Sequence, residues 1–124
     1  MCCVLVASTD KKAKECLLRC IPKDYSPKVV EDSSGAVLGA LDEKVDLIII
    51  DLEIKGGFGL ETIDIIKKSK PTVPLIVISG NSSIDTGREV MERGVFYYLL
   101  KPLNKKEVKE VIENALKRSD GRRP

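Results

Sequence analysis

The sequence predicts a doubly wound α/β domain, with five parallel strands in the order 2-1-3-4-5 and helices on both faces. Three observations support this. Apolar, β-branched runs alternate five times with segments of helical spacing, the pattern of a parallel sheet joined by helical crossovers. The central runs are apolar throughout, as strands buried on both faces are. A length of 124 residues suits one domain with a core of its own. Five strands fit the flavodoxin-like order among the common doubly wound arrangements.

Residues 2–7, Cys-Cys-Val-Leu-Val-Ala, form the first expected strand. Ser8, Thr9 and Asp10 then offer N-cap side chains, and a helix is expected from about Lys11 to Ile21. Pro22 to Pro27 reads as a loop, Lys28 to Glu31 as a short second strand, and Ser33-Ser34 as the cap of a helix reaching about Glu43. Gly35 and Gly39 weaken that helix but let it pack closely on a sheet. The third strand, Val45-Asp46-Leu47-Ile48-Ile49-Ile50-Asp51, stops abruptly at a carboxylate.

The loop Lys55-Gly56-Gly57-Phe58-Gly59 opens a third helix marked by Leu60, Ile63 and Ile66 and stopped by Pro71. Residues 74–79 make the fourth strand, with Gly80-Asn81 as its breaker. Asn81 or Ser82 is the expected start of a fourth helix closed by Gly94, a usual residue just past a helix end. Val95 to Leu100 is the fifth strand. Asn104 caps a last helix with the stripe Val108, Val111, Ile112, Ala115 and Leu116. Residues 117–124 read as a frayed end, with the domain proper closing at 118 and residues 119–124 a basic tail or the start of a linker.

Composition narrows the function. Charged residues make up 32%, hydrophobic residues 43%, and the net charge is +2, too small to call for a nucleic-acid partner. No apolar stretch nears the roughly 18 residues of a membrane span, and no export signal is visible, so the expectation is a cytoplasmic protein with reduced thiols. Histidine is absent, which removes histidine catalysis and a Ser-His triad. Cys16 and Cys20 share a helix face with Ala13, Leu17 and Ile21, and without CxxC pairs the four cysteines read as small core residues rather than zinc ligands.

Open α/β sheets place their sites at the carboxyl ends of the strands. Three successive strands end there in polar groups: Asp51, Ser79 and Lys101. Singly, each has a plain reading as a strand end, a cap or an exposed lysine. Together they supply a nucleophilic carboxylate, a hydroxyl donor and a fixed cation, a set that can build and hold an acyl phosphate. An aspartate-nucleophile phosphatase would want Asp-x-Asp, whereas this chain has Asp51-Leu52-Glu53. A dinucleotide binder would want a glycine-rich turn after the first strand, and none follows.

Over nearly its whole length the chain resembles the receiver domains of two-component response regulators. The similarity lies in Asp51 to Glu61 with a glycine eight residues after the aspartate, in Pro74 to Gly80, and in Gly94 to Pro102 with its Lys-Pro end. The spacing also matches, with 28 residues from Asp51 to Ser79 and 50 from Asp51 to Lys101. The resemblance implies that Asp51 accepts a phosphoryl group from a sensor histidine kinase or a phosphotransfer protein. Ser79 and Lys101 would contact that group, with Ser79 and Tyr98 as the switch pair. Tyr98 also has the plain reading of a half-buried strand tyrosine. A cis Lys101-Pro102 bond belongs to the same pattern. So does an output face made by the fourth helix, fifth strand and fifth helix, which would meet a downstream protein or effector domain. Homodimerisation stays open. No enzyme activity is implied beyond phosphorylation and autodephosphorylation at Asp51, and no direct DNA contact.

The chain departs from the family at the metal site. Receivers carry two adjacent acids after the first strand that help to hold Mg²⁺; here Ala7 and Ser8 stand at those positions. Asp10 is better explained as a helix cap, and Lys55 replaces the usual proline of the phosphoacceptor loop. Asp51 and the backbone carbonyl of Glu53 remain as ligands, with a hydroxyl from Ser8 at most. Each lost charge near the ion is worth about 1–4 kcal/mol per unit charge at ~4 Å, doubled for a divalent ion. The expectation is Mg²⁺ binding that is weak or absent. The same loss frees Lys101 to pair directly with Asp51. A phosphorylation-independent interaction module is therefore the alternative reading.

Overall fold

The computed structural model describes residues 2–56 and 59–122, with side chains described as far as Arg118. Its elements are β1 (Cys3–Ala7), α1 (Lys11–Cys20), β2 (Ser26–Val30), α2 (Ser33–Ala40), β3 (Val45–Asp51), α3 (Gly59–Ser69), β4 (Leu75–Ser79), α4 (Ile84–Met91), β5 (Tyr97–Leu100) and α5 (Lys105–Arg122). The sheet is parallel throughout, in the order β2-β1-β3-β4-β5, which is the expected architecture.

The two-residue period of the strands divides the core in two. On one face Val4, Val6, Leu47, Ile49, Ile76 and Ile78 pack against the buried stripes of α1 and α5. On the other, Leu5, Ile48, Ile50, Leu75 and Val77 pack against α2, α3 and Val90 of α4. Every residue of β3 is buried, as its unbroken apolar run requires. Asp51 shares the parity of Leu47 and Ile49, while Ser79 shares that of Leu75 and Val77. The carboxylate and the hydroxyl therefore leave the sheet edge toward opposite faces. Cys20 and Leu17 are buried with Ala13 on the inner side of α1, so that helix presents the face its spacing implied.

Several boundaries move, each for a local reason. β2 begins at Ser26 and includes Pro27, which an edge strand tolerates because one side of its ladder is open. The cap of α2 is Asp32, not Ser33 or Ser34: its carboxylate accepts from Gly35 N at 2.6 Å, and the helix ends at Ala40 rather than Glu43. Gly39 does permit close packing, since a Cβ there would stand 2.9 Å from Leu5 Cδ1. α4 starts at Ile84 behind the cap Ser83, because Asn81 spends its side-chain oxygen on Ser83 N (2.9 Å) in a turn of its own. β5 begins at Tyr97, two residues later than expected.

Asn104 caps α5 as expected, accepting from Glu107 N at 3.1 Å. The helix then runs to Arg122, so helical backbone continues through 119–122, where a tail or linker was expected. Arg123 and Pro124 lie outside the described residues, as do Gly57 and Phe58 of the glycine-rich loop. Among the described residues no helix is long and apolar enough to cross a membrane.

Candidate functional site

The chain leaves β3 at Asp51 and is pinned at once. Leu52 N donates to Ile78 O at 2.8 Å, Ile54 N to Asp51 O at 3.1 Å, and Ser33 N to Lys55 O at 3.0 Å. Ile54 is buried in the core. Glu53 is thus held between two fixed residues, and its side chain projects over the sheet edge.

Asp51 is only 2% exposed, and each of its oxygens has a partner. Oδ2 accepts from Ser8 Oγ at 2.7 Å and from Lys101 Nζ at 2.8 Å. Oδ1 accepts from Glu53 N at 3.0 Å. Ser8 is buried and is itself fixed: its Oγ accepts from Asp10 N at 3.1 Å, and its N donates to Val30 O. The residue standing where an acid was expected in this fold is therefore a hydrogen-bond donor to Asp51.

Lys101 follows β5 and serves three carboxylates. Its Nζ lies 2.8 Å from Asp51 Oδ2, 3.2 Å from Asp10 Oδ2 and 3.4 Å from Glu53 Oε1. Burial works against its charge, but the hydrogen bond and charge of Asp51, joined by Asp10 and Glu53, outweigh it and raise the ammonium pKa above the ordinary lysine value. Asp10 does cap α1, accepting from Ala13 N at 3.1 Å. That bond, against some burial and with help from Lys101, lowers its carboxyl below the ordinary value. Its ion pair with Lys101 was not legible beside its plain role as a cap.

The hydrogen bonds of the Ser79 hydroxyl go to Glu53 and Asn81 rather than to Asp51. Ser79 donates through Oγ to Glu53 Oε2 at 2.5 Å and accepts from Asn81 N at 3.0 Å, as its opposite strand parity dictates. Gly80 N donates to Glu53 Oε1 at 2.7 Å. Sequence reasoning placed Glu53 here for its backbone carbonyl, but its carboxylate also bridges Ser79 and Gly80 at the end of β4 to Lys101 at the end of β5. Tyr98 is half-buried against the α2/α3/α4 core, with its hydroxyl donating to Asn81 O at 2.9 Å. It therefore abuts the loop that Ser79 opens. The Lys101-Pro102 peptide is cis.

The donor set does not fit a magnesium site. Among the described residues no group of three or more His, Cys, Asp or Glu is arranged to hold a metal ion. Ala7 is buried and apolar, Ser8 brings a neutral hydroxyl, and the ammonium of Lys101 sits where the three carboxylates converge. Among the described residues no disulfide links the four cysteines.

The family model for the response regulator receiver domain matches residues 4–113. Over 94 residues the chain is 34% identical to the nitrogen assimilation regulatory protein NtrX of Azorhizobium caulinodans, a match covering 74% of this chain and 21% of that protein. Over 114 residues it is 32% identical to the DNA-binding transcriptional regulator NtrC of Azospirillum brasilense, covering 91% and 24% respectively. The chain thus spans about a quarter or less of the length of these curated relatives. Among solved structures, the CheY-like response regulator receiver domain protein of Methanospirillum hungatei superposes with a TM-score of 0.87, covering 99% of both chains at 17% identity, a likeness of fold.

Proposed function

The chain belongs to the response regulator receiver domain family, and on that premise we propose that it accepts a phosphoryl group on Asp51 and switches partner binding in response. The donor is a phosphohistidine on a sensor histidine kinase or phosphotransfer protein in the cytoplasm. The observation that carries this reading is the convergence of Asp51, Glu53 and Lys101, with Ser79 one hydrogen bond away, at the ends of three adjacent strands.

In the transfer an Asp51 carboxylate oxygen attacks phosphorus. The O–P bond forms as the P–N bond of the phosphohistidine breaks, and the imidazole nitrogen leaves with the electron pair. Lys101, charged throughout the neutral range, turns from the carboxylate to the phosphoryl oxygens and offsets their charge. Ser79 donates to the same group. Its hydroxyl also accepts from Asn81 N, whose residue holds the Tyr98 hydroxyl, so reorientation at Ser79 is passed to β5. The surface formed by α4, β5 and α5 exposes Ile84, Tyr97 and Leu100, apolar groups suited to a downstream protein or effector domain. On addition of an acyl phosphate, the amide resonances of Ser79, Gly80 and Tyr98 will shift in the wild type and stay in place in Asp51→Asn. An unchanged wild-type spectrum contradicts the proposal.

Receiver domains generally bind Mg²⁺ at an acidic pocket, and the residues present here do not fit one. The expected behaviour is correspondingly plain. About 10 mM Mg²⁺ will raise the wild-type melting temperature by less than about 2 °C. Ser8→Asp, which sets a second carboxylate against Asp51, will melt lower in chelator and regain several degrees with Mg²⁺. Differential scanning fluorimetry reads both; a saturable wild-type gain at sub-millimolar Mg²⁺ contradicts weak binding.

A second reading rests on the Asp51 contacts. Ser8 and Lys101 together occupy Oδ2, an arrangement that also suits a domain whose partner binds regardless of phosphorylation.

A further inference from the structure

We propose that the Glu53 carboxylate is a built-in occupant of the phosphoryl-binding donors, so that phosphorylation of Asp51 has to displace it. The inference rests on the reading of Asp51 as phosphoacceptor and adds a residue that sets the rate of that step.

Three donors converge on this one side chain. Ser79 Oγ reaches Oε2 at 2.5 Å, Gly80 N reaches Oε1 at 2.7 Å, and Lys101 Nζ lies 3.4 Å from Oε1. A hydroxyl, a backbone N–H and an ammonium gathered around one anion are the partners that a phosphoryl group requires. They come from the ends of β4 and β5, and the Asp51 carboxylate lies next to them, bound to the same Lys101. A phosphoryl group attached to Asp51 and the carboxylate of Glu53 therefore call on the same donors, and both are anions. Transfer forms the Asp51 O–P bond as the donor's P–N or P–O bond breaks. It brings further negative charge beside Glu53, so the two cannot share the cradle without repulsion.

Glu53 is also placed to leave. Its backbone is fixed by the bond of its N to Asp51 Oδ1, whereas its side chain is 46% exposed. Swinging it into solvent breaks three hydrogen bonds but disturbs no packed core. Its role is positioning and competitive; it takes no part in bond making.

Intact mass after timed incubation with acetyl phosphate will compare wild type, Glu53→Gln and Glu53→Ala. Glutamine carries no charge and keeps one carbonyl oxygen, which can still accept from Gly80 N while its NH2 donates to the Ser79 hydroxyl oxygen, whereas alanine empties the cradle. The expected order is Ala fastest, Gln intermediate and wild type slowest, with Ala about tenfold or more above wild type. Equal rates for wild type and Ala overturn the inference and leave the phosphoacceptor reading intact. Equal rates for Gln and Ala, both above wild type, also overturn it, since charge alone would then account for the effect.

If no variant is phosphorylated, the phosphoacceptor reading fails, and hydrogen exchange at Gly80 decides the inference separately. Gly80 is exposed, and its amide donates to Glu53 Oε1 at 2.7 Å, so loss of that bond will speed its exchange. Slow exchange in wild type and Glu53→Gln, with exchange about tenfold faster in Glu53→Ala, upholds an occupied cradle. An unprotected Gly80 amide in the wild type overturns it.

Discussion

Lys101→Met will lower the stability of the domain by about 2–4 kcal/mol at neutral pH, because it leaves Asp51 buried without its counter-charge. Asp51 is 2% exposed, and among the described residues its other partners are the Ser8 hydroxyl and one backbone N–H. Methionine fills a similar volume, so lost packing contributes little. The same change leaves Asp10 and Glu53 facing Asp51 with no cation between them. Urea unfolding of the two proteins measures the difference.

The pH dependence has a definite sign. The folded-state pKa of Lys101 is raised, so its contribution is fully present below the ordinary lysine value of 10.5 and is lost as pH rises through the raised value. Asp10 is lowered from 3.8, so its contribution is present above that value and is lost as pH falls through the lowered one. The gap between wild type and Lys101→Met will therefore stay level over about pH 6 to 9 and close toward both extremes. A gap that widened toward acid would mean that the carboxylates are not what Lys101 stabilises.

Gly59→Ala will cost about 1–3 kcal/mol and loosen the loop that carries Glu53. A Cβ at Gly59 would stand 2.4 Å from the carbonyl oxygen of Leu52 and 2.9 Å from Leu52 Cδ1. The first obstacle is backbone and cannot turn aside. Leu52 in turn is tied by its N to Ile78 O, so relief has to come from the start of α3 or from the Asp51–Ile54 turn. Thermal unfolding will report the loss of stability, and faster hydrogen exchange at Glu53 and Ile54 will locate it. A variant as stable as wild type, with unchanged exchange there, contradicts this account. The glycine eight residues after the aspartate is needed for this close approach.

What the sequence revealed follows from periodicity. β3 and β4 are unbroken apolar runs and could be read directly, as could the stripes of α1 and α5, because burial on a fixed face leaves a repeating trace. The sheet order followed from strand count and alternation. The ends were less legible. α5 continues through Lys117, Arg118, Ser119 and Asp120 with no apolar stripe to mark it, since an established helix adds residues at little cost. Asp32 and Ser33 are both good caps, and only the backbone path decides between them.

At the site, Asp51, Ser79 and Lys101 were legible because each ends a strand that periodicity had already located. The bond from Ser8 to Asp51 was anticipated only as a spare hydroxyl. Glu53 was harder. It sits in a loop without period, and its reach to Ser79 and Gly80 arises because Asp51 and Ser79 leave the sheet toward opposite faces, and Glu53 bridges the edge between them. An acid two residues past a strand-end aspartate, beside strand-end serine and lysine residues, is the signal that could have found it.

The central claim is that Asp51 is a phosphoacceptor despite Ala7 and Ser8. Intact mass after incubation with acetyl phosphate tests it most directly, with and without Mg²⁺ and with Asp51→Asn as the control. The account predicts a gain of one phosphoryl group in the wild type and none in the variant. A wild type that gains nothing under any of these conditions, or an Asp51→Asn variant that gains as much as the wild type, contradicts it.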